Sequence, residues 1–231
     1  MKIWVLGKGK TGSMVAEIAS ERGHDVRALD SKENPHASAL TKEALKGVDM
    51  VIDFTTPDAV VENIEACCRA GADMVVGTTG WGEQMTHVRQ LVEQSYIAFL
   101  FASNFSVGVN VFYDIARAAA AGLQHGYTAK IVERHHAQKK DAPSGTAVKI
   151  KKILQAVSGD EVEITSLREG DIVGTHVILF DSAYDTMMLI HDAKSRRGFA
   201  EGAVLGAEWL KGKEGFFDFK DVWQQVPAKK R

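Results

Sequence analysis

Ile3-Trp4-Val5-Leu6-Gly7-Lys8-Gly9-Lys10-Thr11-Gly12 places four apolar residues directly before a Gly-x-Gly-x-x-Gly run. The apolar run has the length of a buried strand, and the third glycine stands where a helix would begin. A strand that turns on glycine into a helix offers free backbone N–H groups to a phosphate. In a chain with 21 glycines the run says little by itself, so its neighbours decide. Four more apolar runs follow, Val26 to Leu29, Met50 to Phe54, Met74 to Val76 and Ile97 to Phe101, with helix-length segments between them. This alternation predicts an α/β domain with a parallel sheet and right-handed crossovers. Ligands of such sheets bind beyond the carboxyl ends of the strands, where Gly7, Asp30, Thr55, Gly77 and Ser103 fall.

Gly7, Gly9, Lys10, Thr11 and Gly12 are therefore expected to hold the pyrophosphate of a dinucleotide. Asp30 ends the second run, where a carboxylate can accept hydrogen bonds from the adenosine ribose. A carboxylate there repels the extra phosphate of NADPH, which favours NADH, while Lys32 two residues on could bind that phosphate as a point charge and keeps NADPH open. Gly77, Thr78 and Thr79 follow the fourth run and can line the nicotinamide side.

A second informative stretch runs Glu133-Arg134-His135-His136-Ala137-Gln138-Lys139-Lys140-Asp141-Ala142-Pro143-Ser144-Gly145-Thr146-Ala147. On a strand, successive side chains face opposite ways, so His135 and His136 are expected to have distinct roles. Pro143 suits a helix start, Ser144 or Thr146 can cap it, and Gly145 lets a ligand approach the backbone. Such a helix mouth can hold a carboxylate through N–H groups alone. The formal net charge is only −2, which gives no reason to expect nucleic acid or membrane as a partner. Lys130, Arg134, Lys139 and Lys140 form a local basic cluster suited to a small anionic substrate.

Every fixed position of this stretch resembles the signature of the dihydrodipicolinate reductase family, Glu-x-His-His, a short gap, Lys, any residue, then Asp-x-Pro-Ser-Gly-Thr-Ala. The resemblance extends to Gly77-Thr78-Thr79-Gly80, to Asn104 through Asn110, and to Gly170 through His176. It implies a Rossmann-like parallel-sheet nucleotide domain joined to an α+β domain that holds substrate and assembles a homotetramer through a mixed sheet. It also implies hydride transfer from NADH or NADPH to the cyclic imine dicarboxylate derived from 4-hydroxy-tetrahydrodipicolinate, on the route to diaminopimelate and lysine. By match to the family, His135 is the general acid, Lys139 the second donor and His136 a substrate contact. Ser144, Gly145 and Thr146 fall at the substrate carboxylate, the latter two as its clamp. Ala102, Ser103, Asn104 and Phe105 join Gly77 to Thr79 beside the nicotinamide. The first loop departs from the family, being one residue shorter and reading Gly9-Lys10-Thr11-Gly12, so its pyrophosphate contacts do not transfer directly.

The remaining pattern predicts a helix over about 109–123, a strand over 127–133, a helix through Val157, and strands near 162–167, 176–180 and 186–190. The resemblance returns the chain end to the first domain, giving a dinucleotide-binding domain of residues 1–106 and 197–231 and a substrate-binding and oligomerisation domain of residues 107–196. Cys67 and Cys68 are sequence neighbours that cannot form an ordinary disulfide, and no four ligands stand at zinc-like spacing, so a metal-free enzyme of the reducing cytoplasm is expected. The apolar run at the N-terminus is too short for an export signal, and Lys229-Lys230-Arg231 reads as a frayed tail. The residues are also compatible with two other readings. One is a different amino-acid-pathway NAD(P)-dependent dehydrogenase, and the other a non-catalytic dinucleotide-sensing regulator.

Overall fold

The computed structural model of the protein describes residues 1–226; the tail Lys229-Lys230-Arg231 lies outside the described residues. The chain divides into two compact units, Met1–Ser106 with Arg197–Arg231, and Val107–Arg196.

The first unit is a six-stranded sheet with every neighbouring pair parallel. Its strands are β1 (Lys2–Leu6), β2 (Asp25–Leu29), β3 (Met50–Asp53), β4 (Met74–Val76), β5 (Ala98–Phe101) and β10 (Gly215–Asp218). Their order is β10-β5-β4-β3-β1-β2. Ile3–Leu6 of β1, Met50–Ile52 of β3 and all of β4 are apolar and buried, as a sheet covered on both faces requires. Helices α1 (Lys10–Glu21), α2 (Pro57–Ala70), α3 (Met85–Ser95) and α6 (Arg197–Leu210) belong to this unit. Strand order reverses between β1 and β3, the position at which open α/β sheets take ligands beyond their carboxyl ends.

Strand β10 was not among the predicted elements. Its Gly-Phe-Phe-Asp is too short for periodicity to resolve, yet it pairs with β5 along its length and stacks Phe216 on Phe99. Helix α6 reaches the sheet because Gly202 and Gly206 lack a Cβ. One on Gly202 would sit 1.9 Å from the Phe105 carbonyl oxygen, and one on Gly206 2.7 Å from Leu100.

The second unit holds α4 (Val107–Ala120), α5 (Gly145–Ser158) and a four-stranded sheet, β6 (Thr128–His135), β7 (Glu163–Arg168), β8 (Thr175–Asp181) and β9 (Thr186–Asp192). Strand order is β7-β6-β8-β9. Helix α5 is the crossover that makes β6 and β7 parallel, while short connections leave the other pairs antiparallel, so the sheet is mixed. Alternation assigns Ile131, Glu133, His135, His176, Ile178 and Phe180 to the covered face. The opposite face leaves Leu167, Met188 and Ile190 exposed. Among the described residues no helix is long and apolar enough to cross a membrane.

Candidate active site

In the first unit each glycine of the opening loop answers a different steric demand. Gly7 adopts φ +97°, and a Cβ on it would lie 2.2 Å from the Phe54 carbonyl oxygen. A Cβ on Gly12 would lie 2.0 Å from the Gly7 carbonyl oxygen, so α1 can start close under the turn only with glycine there. Gly9 is extended and caps α1 without a side chain, and a Cβ on it would meet nothing within 4 Å. The first two close the turn, and the third leaves the helix N–H groups open to a phosphate.

Two grooves meet at this loop. One of about 770 Å³ is lined by Gly7, Lys8, Gly9, Asp30, Asn34 and Asn63 among others. The second, about 330 Å³, is lined by Gly9, Lys10, Thr11, Gly12, Gly77, Thr78 and Thr79, with Phe54 and Thr55 shared by both. Gly77 is required here as well, because a Cβ would enter the Phe54 ring at 2.2 Å. The Asp30 carboxylate accepts the Lys32 and Glu33 N–H groups at 2.9 and 3.1 Å. Those two backbone donors hold its pKa below the ordinary carboxylate value. Lys8 reaches across to Glu33 at 2.5 Å and to Asp30 at 4.0 Å.

Beneath both grooves lies Asp53, fully buried at the end of β3. Its Oδ1 accepts Thr78 Oγ1 at 2.6 Å, Thr55 Oγ1 at 2.8 Å and the Thr55 N–H at 3.0 Å, and its Oδ2 accepts Asn63 Nδ2 at 2.8 Å. Burial pushes this carboxyl above the ordinary value, and the four donors oppose the shift. Ala102 and Phe105 are buried, Phe105 packing against Phe54 and Phe219, and neither groove is lined by the 102–105 segment.

In the second unit β6 runs two residues beyond its predicted end. Glu133 and His135 consequently share the covered face, and the Glu133 carboxylate meets His135 Nδ1. In register across β7, Arg168 donates to Glu133 Oε1 at 2.7 Å, and the Ser166 hydroxyl also bonds Glu133. Burial alone would raise the Glu133 carboxyl, but Arg168, Ser166 and His135 outweigh it and hold it down at about 2. Burial also pushes His135 below the ordinary imidazole value, with Glu133 opposing. Gly174 lies against this ring, where a Cβ would come within 2.9 Å of Nε2.

The mouth of α5 is tied to the same cluster. Ser144 caps the helix by accepting the Ala147 N–H at 3.2 Å, its hydroxyl contacts His176 Nε2 at 3.0 Å, and its own N–H donates to Glu133 at 3.3 Å. Its hydroxyl is thereby spent inside the fold, whereas Gly145 is exposed and Thr146 half-buried at the helix start. The Thr146 side chain bonds the Tyr113 phenol, which burial pushes up to about 12. Lys139 pairs with Asp141 at 2.7 Å. His176 is buried edge-on to His135, and that burial followed by the nearby His135 holds it down at about 3. Glu133, His135 and His176 offer ligand atoms within 4.8 Å of one another. The positive charge that balances Glu133 is nevertheless the Arg168 guanidinium.

A strand-borne histidine backed by a buried carboxylate, next to an open helix N-terminus, repeats the arrangement of the motif in space. The family models for the N-terminal and C-terminal parts of dihydrodipicolinate reductase match residues 1–105 and 108–223. The chain belongs to the dihydrodipicolinate reductase family. A 4-hydroxy-tetrahydrodipicolinate reductase of Christiangramia forsetii is 38% identical over an alignment that covers 96% of this chain and 97% of the relative. One of Methanospirillum hungatei is 34% identical and covers 96% and 98%. The solved structure of dipicolinate-bound dihydrodipicolinate reductase from Paenisporosarcina sp. TG-14 superposes with a TM-score of 0.77 over 96% of this chain and 99% of that one. At 24% identity it speaks for the fold.

Several residues that build this member of the dihydrodipicolinate reductase family carried no role in the sequence reading. Asp53, Asn63, Asn34 and Glu33 each bond at least one residue more than twenty positions away, for which a sequence has no local signal. Arg168 and His176 reach Glu133 and Ser144 only through sheet register. Glu133 could have been found, because a residue two places from His135 on a strand must share its face.

Proposed function

We propose that this chain reduces the cyclic imine dicarboxylate derived from 4-hydroxy-tetrahydrodipicolinate to tetrahydrodipicolinate in diaminopimelate and lysine biosynthesis, using a nicotinamide dinucleotide. The observation that carries this reading is the Glu133–His135 pair beside the open start of α5. A regulator that only sensed dinucleotide would have no use for a buried, carboxylate-backed imidazole.

The glycine geometry fits the dinucleotide, since two positions exclude any Cβ and the third leaves the backbone bare. Gly7, Gly9, Lys10, Thr11 and Gly12 would hold its pyrophosphate and Asp30 its ribose. Gly77, Thr78 and Thr79, with Ala102, Ser103, Asn104 and Phe105, would flank the nicotinamide. When bound, the cofactor supplies a hydride to the conjugated carbon of the substrate. NADH is assigned as the preferred donor and NADPH as the second. Asp30 and Glu33 form an acidic end to β2, which Lys8 only partly offsets.

The first-turn N–H groups of Gly145 and Thr146 would clamp one substrate carboxylate, with His136 as a further contact. Ser144 would hold the clamp in shape rather than touch the substrate. His135 would deliver the proton from Nε2, while Glu133 fixes the ring through Nδ1. Lys139, steadied by Asp141, would stabilise the negative charge that develops on the ring nitrogen. We further propose a homotetramer built on the open face of the second sheet, and a cytoplasmic site of action, in keeping with two buried free thiols.

The test couples purified protein to a dihydrodipicolinate synthase fed with pyruvate and aspartate semialdehyde and follows reduced-nicotinamide absorbance with NADH and NADPH in parallel. Rapid oxidation, faster with NADH, is expected, and Lys139→Ala should lose at least about 10²-fold in turnover while still binding NADH. Folded protein that binds NADH but oxidises neither cofactor would overturn the substrate assignment.

A further inference from the structure

Asp53 touches neither groove surface, yet hydrogen bonds lead from it to both. Toward the smaller groove its Oδ1 holds the Thr78 hydroxyl, which in turn accepts the Thr55 N–H at 2.8 Å. Toward the larger groove its Oδ2 holds Asn63, whose Oδ1 accepts Asn34 Nδ2 at 3.0 Å, and Asn34 Oδ1 accepts the Ala39 N–H at 3.0 Å. Asn34 directly follows the Asp30 to Glu33 turn. One unbroken chain of bonds therefore runs from the Thr78 wall to the loop that presents Asp30.

We propose that Asp53 is a positioning residue for the dinucleotide, the common acceptor that sets the adenosine side and the nicotinamide side of the groove together. This rests on the reading of the grooves as a dinucleotide site. A carboxylate shut away from water bonds only to protein donors, so each donor it accepts is fixed in place. Four donors converge here, and acceptor-only chemistry is what satisfies them. Asparagine at this position would present one acceptor oxygen and two N–H donors to the same four partners. The groove walls would lose their shared anchor with little change in side-chain volume.

NADH binding followed by fluorescence tests this directly, with 5′-AMP as a competing probe of the adenosine side and urea midpoints as a check on folding. Asp53→Asn should bind NADH at least about tenfold more weakly and lose AMP affinity too. Thr78→Val should weaken NADH several-fold and leave AMP within about twofold, with Thr78→Ser restoring NADH, whereas Asn34→Ala should weaken both ligands. A folded Asp53→Asn protein with parental NADH affinity would sink the proposal. If that variant does not fold, unchanged NADH affinity in both Thr78→Val and Asn34→Ala would do the same. A parent protein that binds neither NADH nor AMP would instead show that the dinucleotide reading itself has failed, and the proposal falls with it.

Discussion

A neutral imidazole that gives its Nδ1 hydrogen to a carboxylate keeps only a lone pair at Nε2. His135 can therefore donate a proton from Nε2 only in its doubly protonated form. Burial depresses its pKa below the ordinary 6.5 and Glu133 partly restores it, so the protonated fraction falls as pH rises through a value on the acid side of neutrality. The rate constant kcat/KM should then decline with rising pH along a limb below the usual histidine range. The kcat limb should lie higher, because a bound dianion favours the imidazolium. Replacing Glu133 with glutamine removes the anion that His135 and Arg168 share. The kcat/KM limb of Glu133→Gln should shift further to low pH, and a profile that does not move would detach Glu133 from the proton step.

At the scale of elements, the α5 start joins stability to ligand capture. Ser144→Ala removes a cap worth about 0.5 to 2 kcal/mol and leaves His176 Nε2 without its partner at a cost of about 1 to 3 kcal/mol. A lower urea midpoint together with a raised KM for the dicarboxylate is expected, with NADH binding unchanged. Most elements could be read from the sequence because their apolar runs were continuous or strictly alternating. The parallel strands were of this kind, while the glycine turn and the helix opening at Pro-Ser-Gly-Thr were legible from their turn and cap residues. The end of β6 was not, since Arg134 and His135 are polar by composition and stay in the strand through pairing with β7 and β8. Nor was β10, whose four residues become a strand only because β5 offers an edge. The motif thus named His135 and Lys139, but Arg168, His176 and Asp53 became visible only in the register of folded strands.

For the whole molecule, the open face of the second sheet is the surface on which the proposed tetramer would be built. Register places Leu179 beside Met188 and Val177 beside Ile190, with Val132 next in line on β6, and Met188 and Ile190 are each 58% exposed. Exposed apolar patches of this kind mark interaction surfaces, and under the proposed tetramer a second subunit would cover this one. Met188→Glu should reduce the mass measured by light scattering from that of the proposed tetramer toward smaller species, while the isolated chain keeps its secondary structure. The first unit carries a different consequence. Its sheet takes five strands from the opening hundred residues and its last from Gly215–Asp218, so the second unit is spliced into its middle. During synthesis at about 5–20 residues per second, the β5 edge would stand unpaired for on the order of ten seconds before β10 is made. The unit that a ribosome begins first is the one it completes last, and a chain cut short before residue 215 would leave that edge open to other strands.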